Sequence, residues 1–308
     1  MSLAPEIKAF LEASAAAALP QVWEAPVDVI RRNTQSRPAL AGPVEPILEV
    51  VNRFIPGPTA DLPIRIYRPT TSSSAPAIIY FHGGGWVLNF LDIYDASLAR
   101  LANQSGATII SVNYQKAPEH PFPVPFDDCY ATLLWAIANA AELKIDASRI
   151  GVAGDSAGAN LASGVAIKAR DNEISLAFQL LIYPCNDRDF TTDSYIKNAT
   201  GYGLSTQAMQ WFWEQYLQGN SHDKNPYAVP TQAPSLKNVA PAIVITAQYD
   251  PLLSDSEKYA ELLKRDGVEV TYTEYPGMIH GFFTNMAVTP TAREAIDSAA
   301  LEIKRLTQ

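Results

Sequence analysis

Eight short runs rich in β-branched and aromatic residues punctuate this chain, at residues 50–55, 64–67, 78–81, 108–112, 149–153, 177–183, 243–246 and 268–272. Several are continuously apolar rather than alternating, as strands covered on both faces must be. Helical patterns occupy 95–104, 126–143, 156–170, 255–266 and 291–306. Strands alternating with helices of that length require right-handed crossovers and a mostly parallel sheet. The first two runs have no helix between them, so they are expected to pair antiparallel at one edge. These patterns specify an α/β fold: one mostly parallel eight-stranded sheet flanked by helices.

Two segments depart from the alternation. Residues 4–40 read as two helices, the first carried by Leu3, Ile7, Phe10 and Leu11, the second by Val22, Val27 and Ile30 with a break at Pro26. Between 186 and 236 no strand follows; a polar stretch leads instead into Met209, Trp211, Phe212, Trp213, Tyr216 and Leu217. An aromatic helix inserted between two core strands cannot turn every ring toward the sheet. It is expected to pack over the C-terminal edge as a lid. The division that follows is 1–45 as the N-terminal part of a helical cap, 46–185 and 237–308 as the core, and 186–236 as a cap insertion.

With 308 residues, 47% of them hydrophobic, the chain can bury a large core without staples. Against 23 Lys and Arg stand 32 Asp and Glu, a net charge of −9 that repels a phosphate backbone and argues against nucleic acid as a partner. No run of about 18 apolar residues occurs, so no membrane span is expected. Ala15 to Leu19 hint at a secretion signal, but Glu6 and Glu12 interrupt the stretch and no basic segment precedes it. Cys129 and Cys185 are too few for a disulfide framework and read as reduced packing residues, which fits a cytoplasmic protein. Without an HExxH or paired CxxC pattern, no metal or organic cofactor is called for.

The chemistry concentrates in four short motifs. Gly154-Asp155-Ser156-Ala157-Gly158 follows an apolar strand and opens a helix. This is a nucleophile elbow, in which small neighbours allow a strained turn that lifts the serine hydroxyl above the sheet. A serine at neutral pH needs a base, and the candidates are His82, His120, His222 and His280. The order nucleophile, acid, histidine selects His280, just beyond the last strand. The orienting acid should precede it at a strand end. Asp250 does; Asp255 competes, but Ser254-Asp255-Ser256-Glu257 reads as a capping box whose carboxylate serves a helix dipole. His82-Gly83-Gly84-Gly85-Trp86 follows the third strand, where backbone N–H groups can be aimed at a developing oxyanion, with the N–H of Ala157 beside the nucleophile. No Lys or Ser/Thr follows these glycines to make a phosphate loop.

Together these motifs resemble the bacterial hormone-sensitive-lipase-like (family IV) carboxylesterases of the α/β-hydrolase superfamily. His82 to Trp86 is similar to that family's HGGGW, Gly154 to Gly158 to its GDSAG, Asp250-Pro251-Leu252 to its DPL, and His280-Gly281-Phe282 to its HGF. Tyr114 to Pro123 resembles YRLAPEHPFP, with Gln115 and Lys116 departing from it, and Ala159 stands where a further glycine is usual.

The resemblance implies Ser156 as nucleophile, His280 as general base and acid, and Asp250 as its orienter. Gly84, Gly85 and Ala157 would be the oxyanion donors, with Gly83 an alternative to Gly85. It implies structural roles around the elbow for Asp155 and Glu119, and a substrate pocket drawing on Trp86, Trp211, Phe212 and Trp213. The expected partner is a small-molecule ester with a short-to-medium acyl chain. Amide, lactone or arylformamide cleavage, or ligand binding without turnover, are the rival uses of the same residues. Oligomeric state is not written in the residues, a homodimer being one option.

Overall fold

The computed structural model describes residues 2–219 and 221–308. In chain order its elements are α1 Pro5–Ala16, α2 Val27–Asn33, α3 Pro38–Ala41, β1 Glu49–Pro56, β2 Asp61–Arg68, β3 Ala75–Phe81, α4 Asp95–Ser105, β4 Thr108–Val112, α5 Val124–Ala138, α6 Ala140–Leu143, β5 Ile145–Asp155 and α7 Ala157–Asp171. There follow β6 Gln179–Ile182, α8 Asp193–Lys197, α9 Thr206–Leu217, β7 Ala242–Tyr249, α10 Leu253–Arg265, β8 Val270–Ile279 and α11 Thr291–Leu306.

The eight strands form one sheet in the order β1-β2-β4-β3-β5-β6-β7-β8. β2 runs antiparallel to β1 and to β4, and the other pairings are parallel. Both faces are covered, and the two-residue strand period sorts the core into two layers. Ile79, Phe81 and Val152 point to one side, where Cys129 and Leu133 of α5, Val165 of α7 and Leu263 of α10 meet them. Ile78, Tyr80 and Ala153 point to the other, against Leu98 of α4 and Ile296 of α11. This explains why these strands read as unbroken apolar runs. Both cysteines are free and buried in the first layer. No helix among the described residues is long and apolar enough to cross a membrane.

The N-terminal region differs from the expected pair of helices. Pro26 starts α2 rather than breaking it: the proline occupies the N-cap, where its missing N–H costs nothing, and Val22 lies outside the helix. A 3₁₀ turn at Thr34–Ser36 and the short α3 then follow. Arg31 of α2 ties this region to the core. Its Nε donates to the Val87 carbonyl and its Nη2 to the Ala117 carbonyl, each at 2.9 Å. The same guanidinium forks onto Glu119. Glu119 therefore clamps an N-terminal helix at the surface and is not part of the elbow.

Candidate active site

The path of β5 into α7 creates the site. Ser156 is the N-cap of α7, at φ 56° and ψ −123°, a left-handed conformation that a non-glycine residue adopts only when its surroundings force it. Its N–H donates to the Ile182 carbonyl of the neighbouring strand at 2.8 Å, which fixes the turn. Glycine is required on either side. A Cβ on Gly158 would lie 1.9 Å from the Phe81 carbonyl oxygen, and one on Gly154 would lie 2.3 Å from the backbone of Gly158. The end of β3 and the first turn of α7 are thus pressed together, so the glycine loop and the serine share one rigid support.

His280 directly follows β8 and Asp250 directly follows β7. Parallel strands bring both to the edge where Ser156 stands. His280 Nε2 lies 2.9 Å from Ser156 Oγ, and His280 Nδ1 lies 2.7 Å from Asp250 Oδ2. The Asp250 carboxylate is fully buried, and its other oxygen accepts the Leu252 N–H at 2.9 Å. With Nδ1 donating to Asp250, Nε2 is left as an acceptor for the serine proton. The remaining histidines lie elsewhere. His82 stacks on Tyr114 with ring centroids 4.4 Å apart, and His222 lies edge-on to Phe122. Burial pushes the His82 imidazole down to about 3, so it is neutral at ordinary pH. His120 borders a surface recess of about 560 Å³ with Arg31 and Lys116, and none of Ser156, Asp250 or His280 borders it.

Asp255 is not a surface cap. α10 begins at Leu253 with Leu252 as N-cap, and the Asp255 carboxyl is buried beneath it, receiving the Tyr195 hydroxyl at 3.4 Å. Burial pushes that carboxyl well above the usual range, with Asp187 adding to the effect.

The glycine loop is anchored by Asp155. Its Oδ1 accepts the Gly83 N–H and the Tyr80 hydroxyl, each at 2.9 Å, and its Oδ2 accepts the Tyr94 hydroxyl at 3.3 Å. Gly83 therefore cannot serve as the alternative oxyanion donor, because its proton is already committed to a buried carboxylate. Gly84 and Gly85, both at positive φ, border the cavity beside Ser156. Burial raises the Asp155 carboxyl to about 6, against the pull of these three donors and of His280.

Above the serine lies a cavity of about 320 Å³. Phe10 and Leu11 of α1, Leu40 of α3 and Met209 of α9 are among its walls, so residues from 1–45 and from 186–236 meet over the site. Of the four aromatics expected there, Phe212 alone lines it; a Cβ on Gly85 would fall 2.1 Å from its ring. Trp86 is fully buried instead, stacked on Tyr216 at 4.2 Å with rings 1° from parallel, and Trp213 packs on it at 4.6 Å. Trp211 lies edge-on to Phe212, outside the lining. The reason is helical geometry: residues one apart point about 100° apart, so 211, 212 and 213 cannot share a direction. Sequence reasoning missed Tyr80, Tyr94 and Arg37, which hold Asp155 or line the cavity. A tyrosine inside an apolar strand and an arginine in an unpatterned stretch carry no spacing signal.

A model of the α/β-hydrolase fold matches residues 78–284. Carboxylesterase NlhH of Mycobacterium tuberculosis is 39% identical over 250 residues, covering 80% of this chain and 78% of that protein. An arylesterase of Saccharolobus solfataricus is 34% identical and spans 92% of each chain. Among solved structures, a hyperthermophilic esterase from the archaeon Pyrobaculum calidifontis superposes with a TM-score of 0.94 at 38% identity, over 99% of both chains.

Proposed function

This chain belongs to the hormone-sensitive-lipase-like family of α/β hydrolases, and from that premise we propose that it is a serine carboxylesterase working through an acyl-enzyme. The observation that carries the reading is the continuous contact from Asp250 through His280 to Ser156, at 2.7 and 2.9 Å. Relatives named carboxylesterase and arylesterase support it.

In the first half-reaction Ser156 Oγ attacks the ester carbonyl while His280 Nε2 takes its proton. The imidazolium is stabilised by Asp250, which keeps the ring in the tautomer that leaves Nε2 free and does not itself become protonated. Negative charge on the tetrahedral oxygen is met by the N–H groups of Gly84, Gly85 and Ala157, held in place before the reaction; each such donor is worth roughly 3 to 4 kcal/mol. The alcohol departs with the proton from His280. In the second half-reaction the same imidazole activates water, and the acid leaves as Ser156 is restored.

Residues 1–45 and 186–236 act as the cap that closes the cavity. At about 320 Å³ the cavity stands near the lower end for small-molecule sites, which favours short-to-medium acyl chains. The test is a hydrolysis profile on 4-nitrophenyl esters from acetate to laurate, with Ser156→Ala as control. Turnover should peak among the shorter esters and vanish in the variant. Hydrolysis that survives in Ser156→Ala would overturn the reading.

A further inference from the structure

The wall of the cavity over Ser156 is mostly apolar, yet it carries one cation. Arg37 is the single lysine or arginine among its described lining residues. It stands between the 3₁₀ turn Thr34–Ser36 and α3. Its guanidinium makes one hydrogen bond, Nη1 donating to Asn89 Oδ1 at 3.3 Å. No carboxylate among the described residues comes within ion-pair distance of it. The negative group whose field it feels, Asp155, already has its oxygens engaged by Tyr80, Tyr94 and the Gly83 N–H.

A guanidinium holds five N–H donors in a fixed fork, and most of this one is uncommitted. Crowding by protein holds it below its usual basicity, while the side chain is exposed at the rim of the cavity it lines. It remains a cation nonetheless. An anion entering with the substrate would meet this free fork at the cavity wall, and a planar carboxylate matches it bidentately.

We propose that Arg37 is a specificity determinant that receives an ionised carboxylate on the substrate, so that the preferred esters carry a second, free carboxyl group away from the scissile bond. This rests on the carboxylesterase reading above and names the class of ester. The carboxylate can belong to the acyl half, as in a half-ester of a dicarboxylic acid, or to the alcohol half, as in an acylated hydroxy acid.

Two matched pairs distinguish these sources: monomethyl adipate against methyl hexanoate, and 4-acetoxybutanoate against butyl acetate. Initial rates are followed at constant pH for the wild type, Arg37→Met and Arg37→Lys. The wild type should favour the anionic member of one pair. Arg37→Met should lose about 10- to 100-fold in kcat/KM on that member, mostly in KM, as expected for a charged hydrogen-bond partner removed. It should keep its rate on the neutral ester within about threefold. Arg37→Lys should recover part of the loss, and raised salt should narrow the preference. Equal use of both members by the wild type would overturn the proposal. So would an equal fall on both in Arg37→Met, which would make Arg37 a mere support for Asn89. Hydrolysis of none of the four esters would instead overturn the esterase reading, and this proposal with it.

Discussion

Replacing Gly158 by alanine separates the geometry of this site from its stability. The new Cβ would lie 1.9 Å from the Phe81 carbonyl oxygen and 2.7 Å from that of His82, whereas ordinary contact begins at 3.4 Å. Some 1.5 Å of overlap must be relieved, and the atoms opposed are backbone, with no rotamer to give way. Either the end of β3 or the first turn of α7 has to move. The first carries Gly84 and Gly85, and the second carries Ser156 and Ala157.

Overpacking of this kind costs up to about 3 kcal/mol, and alanine returns about 1 kcal/mol of helix propensity. The net loss is then roughly 2 kcal/mol. A misplacement of about 1 Å between nucleophile and oxyanion donors costs on the order of 100-fold in rate. The comparison variant is Gly151→Ala, whose Cβ meets the Phe178 ring at 2.4 Å, a side chain away from the elbow. Both variants should lose similar stability in urea melts. Only Gly158→Ala should lose about 100-fold in kcat/KM on a short ester, while Gly151→Ala stays within about threefold. Wild-type turnover in Gly158→Ala, or equal losses in the two variants, would refute the argument that the close approach of these glycines sets the catalytic geometry.

Three further outcomes follow from the same structure. Asp250→Asn should fold normally yet lower kcat by about 10⁴-fold, because an amide cannot hold His280 in the required tautomer; steady-state kinetics beside circular dichroism checks this, and a loss under tenfold would contradict it. The His82 ring, held at about 3 by burial, should stay neutral from pH 8 down to pH 5 in nitrogen-resolved NMR of the histidine side chains, and a transition near 6.5 would contradict its sealed position. Asp155 is raised from 3.8 to about 6, so the folded state keeps a proton there that the unfolded state releases. Its contribution to stability is full below about pH 4 and is lost as pH rises through 6; at about 1.4 kcal/mol for each pH unit the change is roughly 3 kcal/mol. Relative to Asp155→Asn, the wild type should therefore be less stable at pH 7.5 than at pH 4.5, as read from urea midpoints, and a constant difference would refute the assignment.

The sheet was legible because burial on both faces leaves a direct trace. Ile78, Ile79, Tyr80 and Phe81 must all be apolar or ring-bearing when alternate residues enter two separate core layers. Ser156, Asp250 and His280 were legible because each follows a strand end, where parallel topology gathers loops at one edge. What stayed hidden depends on contacts between distant segments. Gly83 reads like its neighbours until Asp155, 72 residues later, takes its N–H. Trp86 reads like a pocket residue until its positive φ and its stacking on Tyr216 turn it into the core. Asp255 has the pattern of a cap, but α10 starts before the pattern does. Arg37 has no pattern at all, and only the folded cavity gives it a direction.

In the proposed reaction the Ser156 hydroxyl is the atom that receives the acyl group. Incubation with a 4-nitrophenyl alkylphosphonate, followed by intact-mass and peptide mass spectrometry, tests it directly. One equivalent of nitrophenolate should be released, one phosphonyl group should appear on the peptide holding Ser156, and esterase activity should fall in step with that label. A label on any other residue, or full labelling with undiminished hydrolysis, would contradict it.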